Sequence, residues 1–179
     1  MKLAIVGATG VVGTKMLEMV EQYKIPYNEL VLFSSKRSSG SELEVNGEVF
    51  TVQELTEDRT KDDFDYVIMS AGGSTSEKFA PLFEEAGSIV IDNSSFWRMH
   101  DDIDLIVPEI NTPTLNRKII ANPNCSTIQS VIALKPLYDA FGVKRVNYTT
   151  YQSVSGSGAG GIRDLEEGAK GAEPTTYPK

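Results

Sequence analysis

Short apolar runs alternate with segments of helical periodicity over residues 1–123. KLAIVG (2–7) and DYVIMS (65–70) are almost uninterrupted apolar stretches, as in parallel strands that are buried on both faces. Apolar residues between such runs recur at helical spacing, for example at Val12 and Met16. Further strand-like runs are ELVLFSS (29–35), SIVIDNSS (88–95), DLIVPEI (104–110) and KIIANPN (118–124). This alternation predicts an α/β fold with a doubly wound, mostly parallel sheet.

Two other segments depart from this alternation. ELEVNGEVFTV (42–52) has an Asn-Gly pair between alternating residues, which predicts a β-hairpin. Further on, the spacing predicts a helix that starts near Cys125, a long strand KRVNYTTYQSVS (144–155), and a last helix after a glycine-rich turn. One strand and two helices do not easily bury their apolar faces alone. We therefore predict a complete domain at 1–123 and an incomplete α+β domain at 124–179.

Charge and composition exclude several classes of function. The 179 residues carry a net charge of -8, so the chain would repel the phosphates of nucleic acid. A single cysteine excludes an internal disulfide, and a single histidine, His100, further argues against a zinc site. No apolar run is long enough for a membrane span, and the N-terminus has no secretory pattern. We therefore expect a cytoplasmic protein without a metal, a nucleic-acid partner or a membrane partner.

The first candidate for chemistry is GATGVVG (7–13), at a predicted strand-to-helix turn. Gly7, Gly10 and Gly13 would permit a tight turn and let main-chain N–H groups approach a pyrophosphate at the helix N-terminus. The GxxGxxG spacing is a variant of the dinucleotide fingerprint, and the same glycines could serve a merely structural turn. Because a strand precedes the loop and a helix follows it, we interpret the first domain as Rossmann-like and nucleotide-binding.

The end of the second predicted strand indicates which nucleotide binds. A site that prefers NAD usually has an acidic residue there to bind the ribose 2′-hydroxyl. This chain has SSKRSSG (34–40) instead, in which Lys36, Arg37 and the neighbouring hydroxyls could bind a 2′-phosphate. The alternative is a solvated basic loop. We predict NADP rather than NAD as the cofactor.

The single cysteine is the candidate nucleophile, although a lone cysteine is more often an inert core residue. Cys125 follows Asn-Pro-Asn, which does not continue a helix, and apolar periodicity begins at Ile128. We therefore expect the thiol at a helix N-terminus, where the dipole and free N–H groups favour a thiolate and an adjacent oxyanion. Beside a bound nicotinamide, a thiolate could attack an aldehyde or an acyl phosphate.

These segments together resemble the aspartate-semialdehyde dehydrogenases along the whole chain. GATGVVG is similar to the cofactor loop of that family, SSKRSSG to its 2′-phosphate loop, and SAGGSTS (70–76) to the strand end under the cofactor. IDNSSFWRM (91–99) and VPEIN (107–111) are similar to its substrate-side segments. NPNCSTIQ (122–129) resembles the nucleophile motif, and YQSVSGSGAGG (151–161) the start of the dimerising catalytic domain.

The resemblance implies roles for individual residues. Cys125 would form the thiohemiacetal and the acyl-thioester, and Gln152 would orient the substrate. Arg98 would bind the substrate phosphate, and Asn124 would belong to the same pocket. Without the resemblance, Arg98 could be an ordinary surface guanidinium and Gln152 a solvent-facing strand residue. The cofactor would contact Gly7, Thr9, Gly10, Val11, Val12, Ser35, Arg37, Ser38, Gly72, Ser155 and Gly156.

The reaction that the resemblance implies is the NADPH-dependent reductive dephosphorylation of 4-phospho-L-aspartate to L-aspartate 4-semialdehyde. It would serve lysine, threonine and methionine biosynthesis, including diaminopimelate, and the complete enzyme would be a homodimer. The general-base histidine and the substrate-carboxylate arginine of the family lie in a portion that this chain lacks. His100 is the only candidate base here, so we expect this chain alone to be inactive.

Two alternatives stay open. One is an NADP-binding fragment without catalysis. The other is an N-acetylglutamyl-phosphate reductase-like enzyme, although that family typically has Gly-Cys where this chain has Asn124 and Cys125. A short-chain reductase or epimerase is a poor alternative, because it needs Tyr-x-x-x-Lys and no tyrosine here has a lysine four residues on.

Overall fold

The computed structural model describes residues 1–176, which form one large sheet, a separate hairpin and four α-helices. The strands are β1 (Lys2–Val6), β2 (Glu29–Ser34), β3 (Glu42–Val45), β4 (Glu48–Thr51), β5 (Gln53–Glu54), β6 (Tyr66–Met69), β7 (Ile89–Asp92), β8 (Asp104–Leu105) and β9 (Ile119–Ala121). The helices are α1 (Val11–Gln22), α2 (Gly73–Glu85), α3 (Cys125–Phe141) and α4 (Gly158–Gly168). None of the helices within residues 1–176 is both long and apolar enough to cross a bilayer.

Seven strands form a parallel sheet in the order β5-β2-β1-β6-β7-β9-β8. This order confirms the predicted doubly wound, Rossmann-like α/β fold. The chain builds outward from β1 to β5 on one side and then crosses back to β6 on the other side. Ligands of such sheets bind at this switch point, beyond the carboxyl ends of the strands.

Burial on both faces explains why the strands appear in the sequence as continuous apolar runs. On one face, Phe33 of β2 and Val67 of β6 pack in a cluster with Phe83 of α2. On the other face, Ile5 of β1 packs in a cluster with Leu17 of α1. Helices on both faces leave no solvent-exposed side for a polar residue in the central strands.

The predicted hairpin is confirmed. Strands β3 and β4 are antiparallel, and the Asn46-Gly47 turn between them has φ of 54° and 77°. Two positive φ values in a row match the twist of a two-residue hairpin. The Asn46 main-chain N–H donates to Glu21 of α1, and its side-chain amide donates to the Tyr27 hydroxyl at 3.1 Å. The hairpin is thereby fixed against the α1 side of the sheet.

The strand predicted at 144–155 is wrong. Residues 144–153 are exposed and have no regular secondary structure, and Val154–Ser157 form a 3-10 turn before α4. A strand needs a neighbouring strand to pair its main-chain hydrogen bonds, and none of the described residues supplies one here. Residues 124–176 therefore contain helices and no strand.

An ion-pair cluster joins the end of α2 to the segment before β9. The Arg117 Nε and Nη2 groups donate to the Glu84 carboxylate at 2.9 and 2.6 Å, and Nη1 donates to Asp102 at 2.5 Å. The Lys118 main-chain N–H also donates to Glu84, at 2.7 Å. The Arg117 guanidinium, assisted by the Lys118 N–H, holds the pKa of Glu84 below its ordinary value. Only 17% of the Glu84 side chain is exposed, so water screens this pair less than an ordinary surface pair.

Replacing Glu84 with Gln should lower the free energy of unfolding at neutral pH by on the order of 1–2 kcal/mol, because Arg117 loses its charged acceptor. The folded-state pKa of Glu84 lies below its unfolded value. The stabilisation of the folded state by the Glu84 ion pair is therefore complete above about pH 4.3, the unfolded-state pKa. It is lost as the pH falls through the folded-state pKa. Urea unfolding at decreasing pH should show the parent chain and Glu84→Gln converging in acid.

Glu85 provides a matched control for this experiment. It follows Glu84 in the same helix, is exposed, and forms no ion pair within residues 1–176. Glu85→Gln should leave the stability at neutral pH almost unchanged. A stability gap between the parent and Glu84→Gln that persists unchanged in acid would contradict the ion-pair account.

Candidate functional site

A cavity of about 690 Å³ lies beyond the carboxyl ends of β1, β2 and β6, at the switch point of the sheet. The N-terminal ends of α1, α2 and α4 contribute to its wall, and helix N-termini favour anions. The structure brings together here most of the residues predicted to bind the cofactor. They are Gly7, Thr9, Gly10, Val11, Val12, Ser35, Arg37 and Ser38.

The glycine loop leaves no room for side chains at two of its positions. Gly7 has φ of 85°, and a Cβ there would lie 2.7 Å from the carbonyl carbon of Ser70. A Cβ on Gly13 would lie 2.8 Å from the carbonyl carbon of Gly7. Gly13 therefore lets α1 begin directly against β1, as the last glycine of a dinucleotide loop does. The main-chain N–H groups of Val11 and Val12, at the start of α1, have no main-chain acceptor within 1–176 and adjoin the cavity.

The loop after β2 provides a cation and several hydroxyls. The main-chain N–H groups of Ser38 and Ser39 donate to the Ser35 carbonyl at 2.9 and 3.1 Å, which closes a tight turn. Arg37 is exposed on this turn, lines the cavity, and forms no ion pair with any residue that the structure describes. Among the residues that the structure describes, no carboxylate lines the cavity, and Lys36 does not line it either. This donor set fits a dinucleotide that carries an additional phosphate.

Three residues predicted to contact the cofactor, Gly72, Ser155 and Gly156, do not line the cavity. In their place α4 contributes Gly158 and Ala159, from the same glycine-rich turn of the sequence. The sequence gives no signal for the apolar lining residues, because a side chain that faces a cavity has the same apolar character as one that faces the core. Three lining residues lie outside every motif quoted for the site: Val6, Leu55 and Phe79. Six others lie within quoted motifs but were not predicted individually: Ser34, Ser70, Ala71, Thr75, Gly158 and Ala159.

Cys125 is the first residue of α3, as the sequence predicts, and it is exposed. Asn124 is the N-cap, and its side-chain oxygen accepts the Ser126 main-chain N–H at 2.9 Å. The preceding residue, Pro123, is buried, and it begins the turn from β9 into α3. The thiol is thus at a helix N-terminus at the carboxyl end of β9, outside the lining of the cavity.

Arg98 lies between the carboxyl ends of β7 and β9. Its Nε donates to the Asn122 carbonyl at 2.9 Å, and its Nη2 donates to the Asn93 carbonyl at 3.0 Å. The guanidinium is half-buried, so it is not an ordinary solvated surface cation. Its Nη1 group forms no hydrogen bond within the described part of the chain and can receive an anion.

Gln152 and His100 lie on other segments. Gln152 is exposed, and its side chain packs against Gly156, where a Cβ would lie 3.2 Å from the Gln152 Cδ. The exposed His100 ring packs against Trp97 and Phe96, with centroid distances of 5.0 and 5.3 Å. Among residues 1–176, no group of three or more His, Cys, Asp or Glu side chains is placed to hold a metal ion.

Two known domain families match this chain. The model of the semialdehyde dehydrogenase NAD-binding domain matches residues 2–118, and that of the semialdehyde dehydrogenase dimerisation domain matches 134–178. The chain belongs to the semialdehyde dehydrogenase family. The resemblance inferred from the sequence motifs is therefore confirmed.

Individual members of the semialdehyde dehydrogenase family give the same result. The chain is 50% identical over 173 residues to the aspartate-semialdehyde dehydrogenase of Aquifex aeolicus, covering 94% of this chain and 51% of that protein. It is 49% identical over 172 residues to aspartate-semialdehyde dehydrogenase 2 of Vibrio cholerae, covering 91% of this chain and 49% of that protein. The chain thus spans about half the length of the curated relatives it matches.

Solved structures of the family superpose on this chain. Aspartate semialdehyde dehydrogenase II of Vibrio cholerae, complexed with ASA, has a TM-score of 0.92 and 46% identity, over 99% of this chain and 56% of that one. The aspartate semialdehyde dehydrogenase of Candida albicans with NADP has a TM-score of 0.64 and 26% identity, over 79% of this chain and 48% of that one.

Replacing Gly13 with Ala should destabilise this semialdehyde dehydrogenase domain by about 1–3 kcal/mol, because the added methyl group meets the main chain of the β1–α1 turn. Alanine is the better helix former by about 1 kcal/mol, so helix propensity alone predicts the opposite sign. Gly168→Ala is the control, since a Cβ at the last residue of α4 meets nothing within 4 Å. Urea unfolding of both variants checks this, and equal effects would contradict the packing argument.

Proposed function

We propose that this chain is the cofactor-binding part and the nucleophile of an aspartate-semialdehyde dehydrogenase. The reaction is the NADPH-dependent reductive dephosphorylation of 4-phospho-L-aspartate to L-aspartate 4-semialdehyde, in the biosynthesis of lysine, threonine and methionine. The observation that carries the proposal is Cys125, exposed at the N-terminus of α3, in a chain that shares 50% identity with a protein of that name.

We propose NADP as the cofactor. Gly7 and Gly13 allow the tight turn that brings the free N–H groups at the start of α1 to the cavity, where they can bind a pyrophosphate. Arg37 supplies a cation, and no carboxylate among the described lining residues competes with it. The family model is that of an NAD-binding domain, and the Candida albicans relative was solved with NADP. When bound, NADPH supplies the hydride that brings the acyl group to the aldehyde oxidation level.

The residues of this chain provide the covalent part of the reaction. The Cys125 sulfur attacks the acyl carbon of the phosphorylated substrate, the bond from that carbon to the phosphate oxygen breaks, and phosphate leaves with the electron pair. The enzyme then carries an acyl-thioester on Cys125. Arg98 binds the phosphate through its remaining N–H groups, which stabilises the leaving group. After reduction, cleavage of the carbon–sulfur bond returns the thiolate and releases the aldehyde.

Gln152 and Asn124 have supporting roles in this proposal. Gln152 orients the substrate by its amide group, and Asn124 fixes the first turn of α3 by capping it while it lines the substrate pocket. We assign Ser155, Gly156 and Gly72 to the nicotinamide side of the cofactor. The boundary between the two domains is proposed at residues 123 and 124, where β9 passes into α3.

We propose a homodimer as the assembled form. The dimerisation model matches 134–178, and in this segment Leu137, Tyr138 and Phe141 of α3 are exposed. Apolar side chains on one helix at this density indicate an interface. A small acyl phosphate and free phosphate are the other proposed partners. A cytoplasmic location stays a prediction.

NADP binding without turnover is the second proposal for this chain in isolation. Its one histidine, His100, packs against Trp97 and Phe96, and no residue of 1–176 other than His100 offers an imidazole as a general base. Loss of a general base commonly costs about 10²–10⁴-fold in rate. An N-acetylglutamyl-phosphate reductase is disfavoured, because Asn124 precedes the cysteine here.

Arg37→Ala should weaken NADPH binding much more than NADH binding, because only NADPH carries the 2′-phosphate. Loss of one charge-assisted contact predicts a change of roughly tenfold to a hundredfold in the dissociation constant for NADPH. Lys36→Ala is the matched control, since Lys36 is a neighbouring cation that does not line the cavity. Fluorescence titration of both nucleotides measures these constants. Equal losses for NADPH and NADH would contradict the assignment of NADP.

Cys125→Ser should abolish turnover of phosphoaspartate by the whole protein while NADPH binding is retained, because serine is a much weaker nucleophile at neutral pH. Iodoacetamide should have the same effect on the parent, and phosphate should slow the inactivation by covering the site. Since Cys125 is the one cysteine of this chain, mass spectrometry of the chain assigns the label directly. Full turnover by the Cys125→Ser variant would contradict the role of Cys125 as the nucleophile and leave it a structural residue.

A further inference from the structure

Two asparagine side chains form a bridge between β7 and β9 beside the proposed nucleophile. Asn93 follows the last residue of β7, and Asn122 follows the last residue of β9. The Asn122 side-chain Nδ2 donates to the Asn93 Oδ1 at 2.7 Å. The main chain is already paired here, since the Asn122 N–H donates to the Asp92 carbonyl at 2.8 Å. The amide pair is therefore an additional, directional contact at the point where the strand pairing ends.

The Arg98 guanidinium binds the same two residues through their main-chain carbonyls. It donates to Asn122 at 2.9 Å and to Asn93 at 3.0 Å, so three side chains fix the relative position of the two strand ends. Hydrogen bonds from a guanidinium are stronger than those between neutral groups. Arg98 is also the residue proposed to bind the substrate phosphate, so one group contacts both the strand ends and the substrate.

Asn122 lies three residues before Cys125, so the position of Asn122 constrains the position of the thiol. Pro123 has a fixed φ and is buried, and Asn124 is the N-cap that starts α3. Cys125 is the next residue. α3 has no buried residue among those described, so its packing within 1–176 does not hold the thiol in place. The strand ends provide that constraint.

We propose that Asn93 and Asn122 are positioning residues for the nucleophile. Their amide pair holds the turn from β9 into α3 so that the Cys125 sulfur meets the acyl carbon while Arg98 binds the phosphate. Neither side chain touches the substrate in this role. The inference rests on the proposed function, since it gives the pair a purpose in that reaction. A displacement of about 1 Å in the reacting atoms can cost roughly a hundredfold in rate.

A double-mutant cycle with Asn93→Leu and Asn122→Leu tests the proposal, because leucine is close to asparagine in shape and cannot form the bond. Each single variant leaves one amide unpaired and should lower stability, whereas the double variant replaces both partners and should approach the parent in stability. In the whole protein, kcat should fall by roughly tenfold to a hundredfold in both single variants and in the double variant, with KM for phosphoaspartate little changed. If the double variant recovers activity as well as stability, the asparagine pair has only a structural role, and the proposal is overturned.

Amide hydrogen exchange measures the positioning without depending on turnover. Peptides that cover 122–128 should exchange faster in all three variants, while peptides from β1 and β6 keep the exchange of the parent. Asn116→Leu is the control, since Asn116 is exposed and its side chain makes no hydrogen bond within residues 1–176. Unchanged exchange at 122–128 would overturn the proposal. If the parent whole protein shows no turnover of phosphoaspartate, the proposed function is wrong. The exchange result then decides by itself whether the asparagine pair positions the turn into α3.

Discussion

The parallel hydrogen-bonding of the sheet is the constraint on which the rest of this structure depends. Because all seven strands run in one direction, their carboxyl ends lie at a single edge. That edge carries Gly7 after β1, Ser35 after β2 and Asn122 after β9, which are far apart in the sequence. The cavity and Cys125 are thus two parts of one edge, separated along the strand order. The proposed chemistry between a bound dinucleotide and Cys125 would take place along this edge.

The two parts of the edge are specified by different physical means. At the cavity the constraint is steric, since a side chain at Gly7 would meet the main chain after β6 and one at Gly13 would meet the main chain of the β1–α1 turn. Around the nucleophile the constraint is polar, since amide and guanidinium groups connect the ends of β7 and β9. The close packing that these glycines allow brings the free N–H groups of Val11 and Val12 to the cavity. The hydrogen bonds between the ends of β7 and β9 are directional, so they fix the orientation of the turn into α3. A reaction at one sulfur atom requires a more exact orientation than ligand binding does.

The segment after β9 is largely exposed within residues 1–176. α3 contains Leu137 and Phe141 as exposed residues, and residues 144–153 are exposed and have no regular secondary structure. The match to a dimerisation domain over 134–178 agrees with this exposure, since such a surface is stabilised by association. The α/β domain, in contrast, buries both faces of its central strands and contains the contacts that hold its own site.

Local sequence determined the α/β order, the hairpin and the start of α3, because each depends on neighbours in the chain. Continuous apolar runs predicted strands buried on both faces, and Asn46-Gly47 predicted the hairpin turn that the structure has. Asn-Pro-Asn before Cys125 predicted a helix that starts at the cysteine, as α3 does. The strand predicted at 144–155 was wrong because none of the described residues provides a partner strand. Strand pairing is a tertiary property that a local pattern does not show. Arg98 could be identified as a candidate, yet its contacts with the carbonyls of Asn93 and Asn122 appear only once β7 and β9 are adjacent. Likewise Phe79 joins the cavity wall only through the packing of α2 on the sheet, because an apolar residue carries no local signal of whether it faces a core or a ligand.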